Sequence, residues 1–454
     1  MKLWQGVFSG PNDAVTRFNS SDNIAADQRL VRYDIFGNLA HIRMLEKQGM
    51  LSAAESRAIR AALGKILKSH AAGQFVLNSQ LEDVHSNVEN AVTKITPTGA
   101  KMHLGRSRND QVILDMRLYL RDEILTLWEK IIELQRAFVQ LSKKEGPFVG
   151  YTHTRVAQPI TVSFWCDAQV QRLYRDLQRL DSCLSRINQN PLGAGAIAGT
   201  GIPIDRQRTA QLLGFDVVQQ NELDVISSRG EMEAELLSDL SLLMVNLSGL
   251  SEELIWLSQK GLVRIPDSFC TGSSMMPNKK NPDVLELIRA RSARVIAALN
   301  QVLLIKKGLI SGYHSDMQET KIPVMEGIDT VKACLEVLVQ LVVQLTFDSK
   351  KIEEELNAGY AQATAIADAL SQKGIHFRDA HGRVGKLVEK CRKEGKTLSK
   401  IRPPLPEFSA SEWIQVTRLD RPRLEKKIVL DPTWLKRVAE KKNAIQKAFD
   451  ALME

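Results

Sequence analysis

The chain is short of cysteine, short of aromatics and without a long uninterrupted apolar run, and each shortage removes a class of protein. Its five cysteines (Cys166, Cys183, Cys270, Cys334 and Cys391) are far apart, odd in number, and show neither CxxC nor Cys/His ligand spacing. That pattern argues against a disulfide framework and a structural zinc, and for a reducing compartment. Aromatics are 6% of the residues, too few for stacking platforms along a nucleic acid. The 61 Lys+Arg against 53 Asp+Glu leave a net charge of +8 that is spread along the chain. So modest an excess suits anionic metabolites, and no nucleic-acid partner is expected. The most apolar stretch, 335–347, is interrupted by Glu336, Gln340 and Gln344. It is also shorter than the roughly 20 residues of a membrane span, so no membrane partner is expected. The opening MKLWQGVFSGPND has no apolar core of a secretory signal, which makes cytoplasmic the expected location. No Walker loop, HExxH or GxSxG occurs.

What the sequence does have is a set of long runs nearly free of glycine and proline. They cover 112–145, 160–190, 231–260, 283–307 and 324–357, with Gly146-Pro147, Pro159, Pro191, Pro282 and Gly308 at their edges. Apolar residues recur within them at helical spacing, as at Met116, Leu120, Ile124, Leu127, Ile131 and Leu134. Helices of ~25–34 residues would be roughly 40–50 Å long and would bury their stripes only against one another. An all-α protein with an elongated five-helix central bundle follows. The last run is apolar nearly all round between Leu335 and Leu345, which predicts that this helix sits at the centre of a self-associated assembly. Residues 1–111 read as an N-terminal helical domain, 112–357 as the bundle and 358–454 as a C-terminal helical domain broken by IRPPLPEFS.

Two glycine-rich segments bear on chemistry. GAGAIAGTG at 193–201 fits a dinucleotide fingerprint, but it follows a long helix and Pro191 with no β-branched strand in front. A close-packed turn is the expected reading, and no cofactor is assigned to it. TGSSMMPNKKNP at 271–282 is either a flexible solvated loop or a mobile serine among Lys279, Lys280, Asn281 and backbone N–H donors able to bind an anion.

The second string resembles the signature loop GSSxMPxKxNP of the aspartase/fumarase superfamily. GRSRNDQV at 105–112, GYTHTRVAQP at 150–159, EDVH at 82–85, DVLELIR at 283–289 and YHSDMQETK at 313–321 are similar, in order and separation, to segments of the argininosuccinate lyases. The resemblance spans about residues 4–385. It implies an elimination that releases fumarate from a succinyl-amine, without metal or organic cofactor, in a homotetramer whose sites draw loops from several chains. It makes Ser273 the base, Lys279 and Asn281 the holders of the aci-carboxylate, and His153, paired with Glu286, the acid for the leaving amine or part of a relay. It also implies that Ser107, Arg108, Asn109 and Thr152 bind substrate carboxylates, that Tyr313, Gln318 and Lys321 grip the arginine half, and that Asn23 or Ser21 contacts substrate.

The chain departs from the family pattern near the amine. WQGVF at 4–8 replaces WGGRF, so Val7 stands for an arginine; NSSDNIAADQRL runs two residues long; TRV at 154–156 replaces LQR; and His314-Ser315 replaces Asn-Lys or Asn-Arg. These changes leave the sister lyases as rivals, and a silent crystallin-like homologue as a rival of another class.

Overall fold

The computed structural model describes residues 13–20, 23–420, 424 and 427–454. The calls at Val7 and Ser21 lie outside them.

Five long helices form the body: α1 (Arg108–Leu141), α2 (Val162–Ile187), α3 (Glu231–Gln259), α4 (Asp283–Lys306) and α5 (Lys321–Val342). Neighbours pack in a closed circuit, α1 on α2, α2 on α3, α3 on α4, α4 on α5 and α5 back on α1. The all-α, five-helix architecture is therefore present. Three of them begin at a capping side chain or a glycine, which meets the need of a first turn for partners to its free N–H groups. Ser107 caps α1, its Oγ accepting the Asn109 N–H while its own N–H donates to the Asp110 carboxylate. Thr161 caps α2 through the Phe164 N–H at 3.1 Å. Gly230, at φ +84°, turns the chain into α3.

Two runs differ from their sequence reading. The run 160–190 opens as strand: β1 (Pro147–Thr152) and β2 (Arg155–Thr161) form an antiparallel hairpin, and α2 starts only at Val162. The run 324–357 is not one helix. It stops at Val342, Thr346–Phe347 pairs with Val263–Arg264, and Asp348 caps a separate helix, Ser349–Ala358. Glycine and proline scarcity could not show this break. Leu345 fills the core there, and a β-bridge to another segment outbids continued helix.

A third expectation concerns the apolar stretch of α5. Leu335, Leu338, Leu341 and Val342 of α5 are buried within the single chain. Within the five long helices, the large apolar side chains left exposed lie on α3 (Leu242, Val245) and α4 (Leu287, Ile296, Leu303, Leu304) instead. α3 is long and apolar enough by composition to cross a membrane, but Leu236, Leu240, Leu243, Leu247, Leu250 and Leu254 are buried among its neighbours.

One hydrophobic core runs from Ala26 through the bundle to the last helix, Pro432–Met453, whose Phe449 stacks on Phe36 at 4.0 Å. A second, separate core gathers Ile366, Leu370, Val384, Leu398, Phe408 and Trp413. All five cysteines are free, and four of them are buried.

Candidate active site

At the end of the bundle where α1, α3 and α5 begin, a cleft of about 1050 Å³ gathers Asn23, Ser107, Arg108, Asn109, Tyr313, Gln318 and Lys321. Seven expected binding residues, distant in sequence, thus share one surface. The cleft explains both of their peculiarities, burial and pairing. Lys321, 2% exposed, bonds the Asp27 carboxylate at 2.5 Å, whose other oxygen receives the Val84 N–H. Arg108 is held by Asp83 through its Nε at 2.6 Å and reaches Glu82 at 3.3 Å. Burial works against the Arg108 charge, but these two carboxylates outweigh it and raise its pKa. Asn23 is buried, and its Oδ1 has no hydrogen-bond partner among the described residues.

The glycine segment 193–201 forms one wall. Gly193 and Gly195 both donate backbone N–H bonds of 2.9 Å to Asp110 Oδ2. The nest that sequence alone could have offered to a phosphate is filled by the protein's own carboxylate. Glycine is required there: at Gly195 (φ +62°) a Cβ would lie 2.4 Å from the Gly199 oxygen. Burial pushes Asp110 up to about 6 against the pull of its three N–H donors. Asn109 is tied to the same wall through Ala196 O at 3.2 Å.

Beneath the cleft, His85 bonds Asp34 at 2.6 Å and faces Asp115 at 3.7 Å, all three buried and within 4.8 Å of one another. They are the described residues that could gather round a cation. Burial and the nearby Asp34 and Asp27 carboxylates raise the Asp115 carboxyl well above its ordinary pKa. Nearby, burial pushes Glu89 up to about 7 and His103 down to about 4.

The remaining candidates lie elsewhere. Thr271–Gly272 pairs with Lys280–Asn281, so residues 273–279 form a loop pinned at its base. Ser273 Oγ accepts the N–H groups of Met275 at 3.3 Å and Met276 at 3.0 Å. Two dipoles aimed at one hydroxyl oxygen favour negative charge on it. Lys280 is taken up by Asp267 at 2.5 Å, while Lys279 is exposed. Glu286 is exposed in the first turn of α4. Thr152 and His153 are exposed at the hairpin tip, where His153 (φ +51°) and Thr154 (φ +59°) form the two-residue turn. Within one chain no hydrogen bond or ion pair among the described residues joins His153 to Glu286.

These loops sit at the far end of the bundle from the cleft. Asn281 precedes α4 and Tyr313 follows it, and 24 helical residues separate the two ends by ~36 Å. Ser107 precedes α1 and the hairpin follows it, across 34 residues or ~51 Å. One chain therefore cannot bring its own cleft to its own Ser273 or His153.

Of the departures, Asn23 lines the cleft, and so does Ser315. His314 turns away to Ile310 O at 3.1 Å, and Val156 packs on Gly359 at the hairpin end. Asp27, Asp83, Asp110 and Arg229 were not singled out from sequence. Asp83 and Asp110 lie inside quoted motifs and Asp27 inside the NSSDNIAADQRL segment, whereas Arg229 carried no local signal.

A family model described as lyase matches residues 6–297, and one described as argininosuccinate lyase C-terminal matches 360–432. The chain beyond residue 385, outside the span of the sequence resemblance, is thus similar to that family too. The argininosuccinate lyase of Ruminiclostridium cellulolyticum is 44% identical over 91% of this chain and 91% of its own length. That of Moorella thermoacetica is 42% identical over 91% and 88%. Among solved structures, an EDDS lyase variant with bound fumarate superposes with a TM-score of 0.80 at 26% identity, covering 98% of this chain and 94% of that one. A class II fumarase from Schistosoma mansoni, at 15% identity, TM-score 0.76 and coverage of 90% and 92%, shares the fold.

Proposed function

Because this chain belongs to the argininosuccinate lyase family, we propose that it splits 2-(Nω-arginino)succinate into L-arginine and fumarate by anti β-elimination. The substrate follows from the curated relatives. The chemistry is carried by one observation, the Ser273 hydroxyl oxygen receiving two backbone N–H groups.

In this reading Ser273, as alkoxide, takes a proton from the succinyl carbon beside the C–N bond. The C–H electron pair moves into the neighbouring carboxylate, which Lys279 and Asn281 hold as it gains charge. Collapse of that aci-carboxylate forms the C=C bond and expels the guanidino nitrogen, which His153, oriented by Glu286, protonates. One proton leaves carbon and one arrives at nitrogen, so the electron count closes without a redox partner. The cleft residues Ser107, Arg108, Asn109, Tyr313, Gln318 and Lys321 hold the carboxylates and the arginine half, and Thr152 joins them from the hairpin. The helix-length separation of the two groups supports a site assembled from several copies, and the homotetramer is the form we propose. Its joining face is the apolar surface of α3 and α4, and its location is cytoplasmic.

Asn23 and Ser315 border the amine pocket and keep a sister lyase in play as the second reading. Mixing purified protein with argininosuccinate, adenylosuccinate or aspartate and following fumarate absorbance decides between them. Argininosuccinate is expected to win by orders of magnitude in kcat/KM. A comparable rate on another succinyl-amine transfers the chain to that sister activity, and a folded protein inactive on all of them is a binding homologue.

A further inference from the structure

Arg229 does not line the cleft, yet it sets the polarity of two residues that do. It lies on the turn leading into α3 and is 3% exposed. The turn is locked from several sides. Gly230 N–H donates to Glu233 at 2.8 Å, Lys306 Nζ donates to Ser227 O at 2.8 Å, and Gly312 N–H donates to Ser227 Oγ at 3.0 Å. One Arg229 Nη donates to Gln318 Oε1 at 3.1 Å, and its guanidinium lies 5.8 Å from the Tyr313 ring centre. Gln318 Nε2 in turn donates to the Tyr313 hydroxyl oxygen at 3.0 Å.

The direction of this chain of bonds is not free. Arginine has five N–H donors and no acceptor, so the Gln318 atom that meets it has to be the carbonyl oxygen. The amide nitrogen then faces Tyr313 and the cleft. The Tyr313 oxygen, already accepting from that nitrogen, keeps its own proton for another acceptor. Both cleft-lining groups are thereby set as donors, the polarity a carboxylate needs. Charge points the same way. Lys321 is matched by Asp27 and Arg108 by Asp83, whereas Arg229 forms no direct ion pair among the described residues; Glu233 and Asp27 act on its charge only through space, and Tyr313 interacts with it directly. A buried guanidinium so placed favours an anion just above it.

We propose that Arg229 is a positioning residue that makes Gln318 and Tyr313 present N–H and O–H donors to the carboxylate of the arginine half of the substrate. The proposal rests on the functional reading above. Without Arg229 the Gln318 amide is free to flip, turning its oxygen towards Tyr313 and drawing the phenol proton inward. The cleft would then offer acceptors to a carboxylate.

The test is a double-mutant cycle of Arg229→Met, Gln318→Met and both together, read as KM and kcat for argininosuccinate and as Kd for L-arginine by calorimetry. Arg229→Met is expected to raise KM and the L-arginine Kd roughly tenfold or more, the scale of one hydrogen bond to a charged group. kcat should stay within about threefold, because the bond is made equally in ground and transition states. The double variant should bind no worse than Gln318→Met alone, since Arg229 acts through Gln318. Additive losses, or an unchanged KM, overturn the proposal. If Arg229→Met does not fold, Gln318→Glu serves instead: its carboxylate pairs with Arg229 and turns the Tyr313 proton inward. Weaker L-arginine binding with an undiminished Tm is expected, and unchanged binding refutes the idea. A wild type that binds L-arginine but releases no fumarate from argininosuccinate sinks the functional reading alone. A wild type that does not bind L-arginine sinks this inference.

Discussion

Ser273 has two N–H groups directed at its oxygen before any substrate arrives. Preorganised dipoles lower the cost of the alkoxide without reorganisation during the reaction. Ser273→Ala keeps the loop's pinned base and every cleft residue, so binding should persist while kcat falls at least ~10²–10³-fold, the scale of a lost acid/base group. Retention of more than about a tenth of the rate would remove Ser273 from the base role. The residues of the cleft were legible because they came in motifs of known spacing. Their partners were not. Nothing near Asp27 in sequence shows that it meets Lys321, 294 positions later, or that Arg229 meets Gln318 across 89 positions.

The hairpin β1–β2 shows how an element can carry strain for a purpose. Both residues of its turn, His153 and Thr154, have positive φ, as a two-residue hairpin turn of the primed type requires. A β-branched residue there costs about 1–2 kcal/mol, and the tip is anchored by Tyr151, packed edge-on to Trp256 at 4.5 Å and bonded to Glu355 at 3.2 Å. Thr154→Gly relieves the strain and adds back ~0.5–1 kcal/mol of glycine entropy, so a small net gain is expected. Slower hydrogen exchange at the hairpin amides would show it, and faster exchange would mean that the tip is unstrained. The hairpin was missed in sequence because THTR has none of the Asn-Gly or Asp-Gly chemistry that usually marks such a turn. The long helices were legible because glycine and proline scarcity and apolar periodicity agree over many turns. Their ends were not, since a β-bridge at Thr346–Phe347 and a cap at Asp348 are decided by what lies opposite.

For the whole molecule, the helices act as spacers. They hold the cleft and the Ser273 and His153 loops at opposite ends, so the proposed reaction requires a second copy, running the other way, to unite them. Hybrids test this. His153→Asn and Ser273→Ala proteins, each nearly inactive, would be dissociated, mixed equally and reassembled. A site that takes its histidine loop and its serine loop from different chains finds both intact in roughly a quarter of random assemblies. Mixing without dissociation should recover nothing. Hybrids as inactive as their parents, while wild type survives the same treatment, would mean that both loops come from one chain.

The sequence by itself determined the fold class, the family and the seven cleft residues it named, because helical periodicity and motif order are local properties that survive without neighbours. Only the tertiary structure decided which charges are neutralised, with Lys321 spent on Asp27, Arg108 on Asp83 and the glycine nest on Asp110. It also moved the unpartnered apolar face from α5 to α3 and α4. Pairing and exposure depend on what packs opposite a side chain, and in a bundle of long helices that neighbour is scores of residues away.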